Sequence, residues 1–394
     1  MKKIYYIAVV FAILFLAGCG DGIDLPGVNV ETDLNKIPLP DNNVNLEQVE
    51  LKPSTEPMLH EGLHTEEDFQ RIRDKKAAGE EPWVSAYQLL VESQFSQKTA
   101  DTYPTEWIKR GVSGDENYMN AARGATIAYQ QALRWKIEQD DEYAAKAVEN
   151  LNKWVQTCVG VTGNTNLSLA AGLYGYEFAI AGELLRDYEG WDRADFAAFQ
   201  NWLLKVFYPA NDDFLKRHHD TNALHYWANW CLCNIAAKMA IGIVTDRRDI
   251  YNEGIGHLQT GDTNGRLRRA IYHDYAPDYN FAQWQESGRD QGHTLMCVGL
   301  MGVICQLAWS QGDDFFAYDD NLFMRACEYA ACCNYTNETV PYTTYIWQKQ
   351  SQWGYPIPEE QTTLGGGKWI KRAIWALPYY HYKGVKNISD DNLK

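Results

Sequence analysis

The sequence predicts an all-α fold, an α/α toroid in the form of an incomplete barrel of five to seven helical hairpins. From residue 64 onward, apolar residues recur at helical spacing in long segments that short turns join in pairs. Strand-like alternation is almost absent, and the helical faces are rich in Trp and Tyr. A four-helix bundle would need far fewer helices, and no fixed-period repeat indicates a solenoid.

The predicted helices follow one another along the chain. The first starts at a capping box, Thr65-Glu-Glu-Asp68, and stops at Gly79. Helical periodicity predicts further helices over 118–138, 141–158, 167–187, 193–207, 222–244, 293–311, 320–334 and 367–382.

Three segments divide the chain. Residues 1–19 are predicted to be a lipoprotein signal peptide, in which a short apolar run ends in Leu16-Ala17-Gly18-Cys19, the pattern that precedes a lipid-modified cysteine. Residues 20–58 are rich in Pro, Asn and Asp, which predicts a flexible tether. Residues 59–394 form the predicted toroid domain, because no change in composition divides them.

The lipid on Cys19 is the expected contact with a membrane, in the envelope of a Gram-negative bacterium, at the periplasm or the outer membrane. No later stretch approaches the ~20 apolar residues that a membrane helix needs. The formal net charge of −16 argues against a nucleic-acid partner. Eight cysteines follow Cys19 in apolar helical runs without metal-ligand spacing, so we expect buried core thiols and neither a metal nor a cofactor.

Residues 265–293 hold the densest group of reactive side chains. This segment contains four Arg, two His, one Glu and three Tyr among apolar neighbours. Burying one unpaired charge costs several kcal/mol, so an ordinary core would not collect so many. The pattern indicates a site that binds an anionic ligand and transfers a proton.

Three stretches resemble the alginate lyase superfamily of helical-toroid polysaccharide lyases. Asn222-Ala-Leu-His225-Tyr-Trp-Ala-Asn-Trp230 is similar to the family's Asn-Asn-His-x-Tyr-Trp-Ala-x-Trp helix, which carries the Asn and His of the active site. Thr245-Asp-Arg-Arg-Asp249 looks like the turn to the next helix. Arg266-Leu-Arg-Arg-Ala-Ile-Tyr272-His-Asp-Tyr-Ala276 is similar to the family's Arg-x-x-Arg-Ala-Leu-x-Tyr-His-x-Tyr-Ala, in which the first Arg and first Tyr are catalytic.

The resemblance implies a lyase that cleaves an anionic, uronic-acid-containing polysaccharide of alginate or glucuronan type by β-elimination at C5 and O4. On the matching positions, Tyr272 is the acid, with the base role also open to it, and His225 is the base or a neutraliser of the uronate carboxylate. Asn222 and Arg266 hold that carboxylate and so stabilise the enolate. We expect the nearby arginines to lower the pKa of Tyr272. Competing candidates for the histidine role are His218 and His219.

Two spacings depart from the family pattern. Asn222 and His225 are three residues apart, where the family's Asn and His are adjacent, and Arg266 and Tyr272 are six apart instead of seven. Six residues along a helix leave two side chains about 120° apart. Either the first turn is not helical or Arg268 takes the role of the arginine, so Arg268 is a candidate substrate-binding residue.

Residues 285–293 form a second informative run, directly before an apolar helix. Arg289 and His293 would lie at the entrance of that helix, where anions are favoured. We predict that Glu286, Arg289 and His293 line the sugar-binding groove. The alternative is that Glu286 and Arg289 form a structural ion pair.

Two other functions stay open. A glycoside hydrolase on the same toroid would need two carboxylates beside the scissile bond, which Asp274, Asp278, Glu286 and Asp290 could supply. A non-catalytic, lipid-anchored glycan-binding protein would account for the tether and the aromatic residues, but it gives no reason for Tyr272 beside arginines. Only elimination forms a conjugated double bond, so an ultraviolet-absorbing product separates a lyase from both alternatives.

The lipid anchor gives a first prediction. Changing Cys19→Ala removes the sulfur that carries the lipid, so the protein should move from the membrane to the soluble fraction on cell fractionation. Unchanged membrane association of this variant would refute the lipoprotein interpretation.

Overall fold

A computed structural model describes residues 48–389, so Cys19 and residues 20–47 of the predicted tether lie outside the described residues. The described chain is mostly helical, as predicted. Its α-helices are α1 (Glu66–Ala77), α2 (Trp83–Glu92), α3 (Tyr118–Glu138), α4 (Asp141–Thr157), α5 (Leu167–Leu184), α6 (Arg193–Val206), α7 (Tyr208–Arg217), α8 (Ala228–Val244), α9 (Arg248–Thr260), α10 (Leu267–Ala270), α11 (Gln291–Ser310), α12 (Tyr318–Tyr335) and α13 (Ala376–Tyr380).

The helices form the predicted α/α toroid. Helices α3, α5, α8 and α11 contact one another in that order as an inner ring, and α4, α6, α9 and α12 pack outside them. The pair α1–α2 packs beside α3. Every residue of α8 is buried, as is every residue of α5 after its first. A helix that is apolar on all sides has to be enclosed, which explains why these two segments lack a polar face.

The inner helices run in the same direction because each outer helix returns the chain. Their N-terminal ends therefore meet at one end of the ring. The segments that lead into them meet there as well, including the entry loop, which we define as residues 218–227 and which precedes α8. This end of the toroid collects most of the reactive side chains that the sequence singles out.

Three two-stranded sheets correct the expectation that strands are almost absent. The described strands are β1 (Trp107–Arg110), β2 (Gly160–Gly163), β3 (Ile271–Asp274), β4 (Ala282–Trp284), β5 (Tyr345–Gln350) and β6 (Pro356–Gln361). β1 pairs with β2 in parallel, and β3 with β4 antiparallel. β5 and β6 form an antiparallel hairpin whose register runs from Tyr345 opposite Gln361 to Gln350 opposite Pro356.

Most helix bounds agree with the predictions to within a few residues. The predicted capping box is present, with the Thr65 hydroxyl accepting from Asp68 N–H and the Asp68 carboxylate accepting from Thr65 N–H. The helix predicted over 222–244 starts only at Ala228, because hydrogen bonds to the β5–β6 hairpin hold residues 222–227 in a turn. The helix predicted over 367–382 begins only at Ala376, as α13, and continues as a π-helical turn, His381–Val385.

The core confirms that the cysteines are buried thiols, and it corrects the expectation that no later segment is apolar enough to cross a membrane. All eight cysteines of the described chain are buried and free. Helix α11 is long and apolar enough to cross a membrane, contrary to the expectation from sequence, but 83% of its most apolar window is buried inside the domain. Helix α11 is therefore a core helix of the toroid.

Residues 48–58 belong to the packed domain, which moves the end of the predicted tether toward the N-terminus. Gln259 on α9 exchanges two hydrogen bonds with the Val49 backbone, at 2.7 and 3.0 Å. Arg248 donates to the carbonyl oxygens of residues 56 and 57, and the Met58 side chain is buried.

A chain that begins at residue 59 should be less stable than one that begins at residue 48. The truncation removes the partners of the buried Arg248 and Gln259 side chains together with the Met58 contact. A typical hydrogen bond contributes about 0.5–1.5 kcal/mol net, so losing these four should cost roughly 2–6 kcal/mol in chemical denaturation. Equal unfolding free energies would show that residues 48–58 are part of a free tether after all.

Candidate active site

The β5–β6 hairpin docks on the entry loop through hydrogen bonds between residues more than 120 positions apart. The Asn222 backbone N–H and side-chain Nδ2 both donate to Gln350 Oε1, each at 2.9 Å, and Nδ2 also donates to the Gln348 carbonyl at 3.0 Å. Trp347 Nε1 donates to the His225 carbonyl oxygen at 2.6 Å. The hairpin thus holds two of the predicted catalytic residues.

The hairpin also fixes the protonation state of His225. The Gln350 backbone N–H donates to His225 Nδ1 at 2.8 Å, so Nδ1 has to be an acceptor and the neutral ring carries its proton on Nε2. Burial and, to a smaller extent, the positive charge of Lys349 together lower the pKa of His225 to about 4. His225 is therefore a neutral N–H donor at pH 7.

A row of aromatic rings in contact joins His225 to Tyr272. His225 stacks on Trp347 with ring centroids 5.8 Å apart, and Trp347 stacks on Trp227 at 5.0 Å. Trp227 lies 6.0 Å from Tyr345, which meets Tyr272 edge-on at 5.0 Å. We call these five residues the aromatic wall; it brings the predicted histidine and the predicted tyrosine to one face of the site.

Tyr272 lies on β3, because the helix of this stretch, α10, ends at Ala270. The spacing of six residues from Arg266 is therefore not a spacing along one helix. The Tyr272 hydroxyl donates to the Thr344 carbonyl at 3.1 Å. Burial raises the pKa of Tyr272, and the charge of no described arginine acts on it, which corrects the expectation of a lowered pKa.

None of the three arginines of the α10 region makes a hydrogen bond with Tyr272 or acts electrostatically on it. Arg268 forms an ion pair with Asp319 at 3.2 Å, so its guanidinium is already engaged. Arg266 instead lies near Arg269, whose pKa is lowered by burial and then by this like charge. The structure does not bring Arg266 or Arg268 beside His225 or Tyr272, contrary to their predicted roles at the carboxylate.

Asn222 has no side-chain hydrogen left for a substrate. Its Nδ2 group donates to two acceptors on the hairpin, and its Oδ1 accepts from the Leu224 N–H at 3.0 Å. The prediction that this amide binds the uronate carboxylate is therefore corrected: Asn222 positions the entry loop against the hairpin.

Glu286 and Arg289 form the ion pair that was the structural alternative. Glu286 is fully buried; one of its carboxylate oxygens accepts from Asn229 N–H at 2.9 Å and the other from Arg289 at 3.1 Å. Arg289 in turn lies over the Trp227 ring, 5.2 Å from its centroid. Because Glu286 cannot touch a sugar, the prediction that it lines the groove is wrong, whereas Arg289 lies at the aromatic wall.

His293 lies in the first turn of α11, at the predicted helix entrance. Asp290 caps this helix by accepting from His293 N–H at 2.8 Å, and its other oxygen binds His293 Nδ1 at 2.6 Å. Of the competing histidines, His219 contacts Ser168 Oγ at 3.0 Å, and burial lowers the pKa of both His218 and His219.

Four hairpin residues of the site were missed from the sequence: Tyr345, Trp347, Lys349 and Gln350. The Lys349 ammonium lies 5.7 Å from the centroid of the Trp347 ring and acts electrostatically on His225. The signal was present in the alternation of Tyr345, Trp347 and Lys349, which is the period of a strand. Within residues 48–389 no group of three or more His, Cys, Asp or Glu side chains could hold a metal.

Comparisons with known proteins extend these findings. The family model for alginate lyases matches residues 72–339, about two thirds of the chain, and stops before the hairpin. No curated protein sequence matches the chain.

Solved structures of one enzyme share the fold. A histidine-to-alanine variant of alginate lyase A1-III, an enzyme of Sphingomonas species A1, in complex with a tetrasaccharide superposes with a TM-score of 0.55 at 13% identity, covering 70% of this chain and 78% of that one. The apo form of the same variant superposes with a TM-score of 0.52 at 13% identity, covering 70% of this chain and 79% of that one. A tyrosine-to-phenylalanine variant of the same enzyme, in complex with a tetrasaccharide, superposes with a TM-score of 0.50 at 13% identity. This superposition covers 72% of this chain and 80% of that one.

At this identity the superpositions establish the toroid fold alone, whereas the family model covers well over half of the sequence. The family model spans α2 to α12, and with them the entry loop, β3 and Arg289. The chain belongs to the alginate lyase family.

Proposed function

We propose that the protein is a polysaccharide lyase that cleaves a uronic-acid polymer of alginate or glucuronan type by β-elimination. Membership of the alginate lyase family supports this, as do the tetrasaccharide complexes of the similar alginate lyase A1-III. The observation that carries the proposal is the aromatic wall, which joins a histidine held as an N–H donor to a half-buried, neutral tyrosine.

His225 serves to neutralise the uronate carboxylate. A C5 proton becomes acidic enough to remove only when the charge of the adjacent carboxylate is offset and the enolate is stabilised. His225 Nε2–H can donate to a carboxylate oxygen, and the Lys349 ammonium supplies the positive charge in the same region. His225 is not the base, because Gln350 occupies Nδ1 and Nε2 already carries a proton.

Tyr272 transfers the proton. Its phenolate removes the proton from C5, the electron pair of that bond forms the C4–C5 double bond, and the C4–O4 bond breaks. The same hydroxyl then protonates O4 of the departing sugar, which regenerates the phenolate. Burial raises the pKa of Tyr272 and keeps the hydroxyl neutral at rest, which suits the acid step at O4. For the base step the hydroxyl first has to release its proton to solvent.

The carboxylates that a hydrolase would use are committed elsewhere. Arg325 binds both oxygens of Asp274, at 3.0 and 2.7 Å. Glu286 is fully buried, and Asp290 caps α11 and binds His293. Of the four candidates only Asp278 is exposed, whereas a hydrolase needs two carboxylates at the bond.

The direct test incubates the protein with polymannuronate, polyguluronate and glucuronan and follows the ultraviolet absorbance of the unsaturated product. We expect absorbance to grow with at least one polymer. Tyr272→Phe should lower the rate by about 10²–10⁴-fold, the usual contribution of an acid–base residue. Lys349→Met should also slow the reaction, because the carboxylate keeps more of its charge.

Tyr279→Phe is the matched control, since Tyr279 is an exposed tyrosine in the β3–β4 connection and should keep the full rate. Reducing ends that appear without absorbance would mean hydrolysis. Binding without any cleavage would mean a glycan-binding protein. A fully active Tyr272→Phe variant would show that another group transfers the proton.

A further inference from the structure

Arg110, at the end of β1, differs from every other buried arginine of the described chain. Six arginines are buried there: Arg110, Arg134, Arg186, Arg248, Arg269 and Arg325. Five of them donate to carboxylates or backbone carbonyls. The Arg110 side chain is only 8% exposed, yet it makes no hydrogen bond or ion pair with the described chain, and its Nη1 is fully enclosed.

The surroundings of Arg110 do not balance its charge. The guanidinium lies over the Tyr118 ring, 4.6 Å from its centroid, and Tyr118 stacks on Tyr174. A cation–π contact offsets only part of the free energy lost when a guanidinium leaves water. Glu177 is a buried acid one helical turn beyond Tyr174, but it forms no ion pair with Arg110, and burial raises its pKa well above the ordinary value.

The backbone of Arg110 is held in place by the β1–β2 sheet. Arg110 is paired with Gly163, and a Cβ atom on Gly163 would lie 1.7 Å from the Arg110 carbonyl oxygen. Gly163 has a φ of +141°, which also favours glycine. The tight pairing fixes where the Arg110 side chain leaves the sheet.

Arg110 lies at the same end of the toroid as the aromatic wall. β2 leads within a few residues to Ser168 in the first turn of α5, and Ser168 contacts His219 of the entry loop at 3.0 Å. The His219 ring lies 5.7 Å from that of Tyr226, which in turn meets His225 at 4.9 Å. The β1–β2 sheet therefore lies on one side of the entry loop, near His219, and the β5–β6 hairpin lies on the other side, at His225.

We propose that Arg110 binds the carboxylate of a second sugar of the substrate, one that is not cleaved. A uronic-acid polymer carries one carboxylate on each sugar, so a groove that holds several sugars meets several negative charges. A buried guanidinium that donates no hydrogen bond to the described chain is suited to bind one of them with charge-assisted hydrogen bonds. The identity of the ligand rests on the proposed function, whereas the presence of an anion site does not.

The proposal predicts opposite effects on binding and on stability. Removing a buried charge that has no partner should leave stability unchanged or raise it, whereas removing a structural arginine lowers it. Arg110→Met should therefore bind substrate less well while its midpoint of thermal unfolding stays equal to that of the unchanged protein or rises. A merely structural Arg110 would give a lower midpoint.

The experiment measures binding by calorimetry in the Tyr272→Phe background, so that bound sugar is not consumed. The probes are tetrasaccharides of mannuronate, guluronate and glucuronate, with cellotetraose as the neutral analogue. We expect Arg110→Met to weaken binding of the bound uronate tetrasaccharide by about 10- to 100-fold, as for loss of a hydrogen bond to a charged group. Arg110→Lys should restore part of that loss, and cellotetraose binding should not depend on the change.

Arg71→Met is the matched control, because Arg71 is an exposed arginine of α1 paired with Asp68, and it should bind all four sugars like the background protein. Unchanged uronate binding by Arg110→Met overturns the proposal, as does weaker binding together with a lower unfolding midpoint. A background protein that binds no uronate overturns it too. If binding depends on Arg110 but no elimination is seen, the lyase function fails and the anion site stands.

Discussion

The hydrogen bond from the Gln350 backbone N–H to His225 Nδ1 is the interaction on which the chemistry of the site depends. Without it, either ring nitrogen of His225 could carry the proton, and the residue could be a base or a donor. With it, Nε2 becomes a donor, and the base role passes to Tyr272. Because β5 also carries Trp347 and Tyr345, one strand orients the histidine and builds the wall that reaches Tyr272.

The toroid supplies the rigid frame for this arrangement. Helices α5 and α8 are buried on nearly every side, so the loops at their N-terminal ends start from fixed points. The entry loop is then clamped by the hairpin through Asn222, while the β1–β2 sheet presents Arg110 on its other side. The two arginines at this end have different partners. Glu286 binds Arg289 and holds it over Trp227, whereas Arg110 makes no hydrogen bond with the described chain and can bind a ligand.

The sequence predicted the ring of helices well but only part of the site. Helical periodicity is local, so α3 and α11 could be predicted from their own residues. The resemblance led to His225 and Tyr272, which the structure brings to one wall. The resemblance could not reveal that the Asn222 side chain donates both of its hydrogens to Gln348 and Gln350, because these residues lie in a hairpin more than 120 residues away. The arginines after Gly265 looked like partners of Tyr272, but α10 ends before Tyr272, and Arg268 pairs with Asp319 instead.

The protonation state of His225 is the most direct test of this account. Nitrogen NMR of histidine-labelled protein at pH 7 distinguishes a protonated from a bare ring nitrogen, and a His225→Gln variant assigns the signals. We expect a neutral ring with the proton on Nε2 and a bare Nδ1 that stays so down to about pH 5, because the pKa of His225 is about 4. A proton on Nδ1, or on both nitrogens at pH 7, would contradict the hairpin's control of the site.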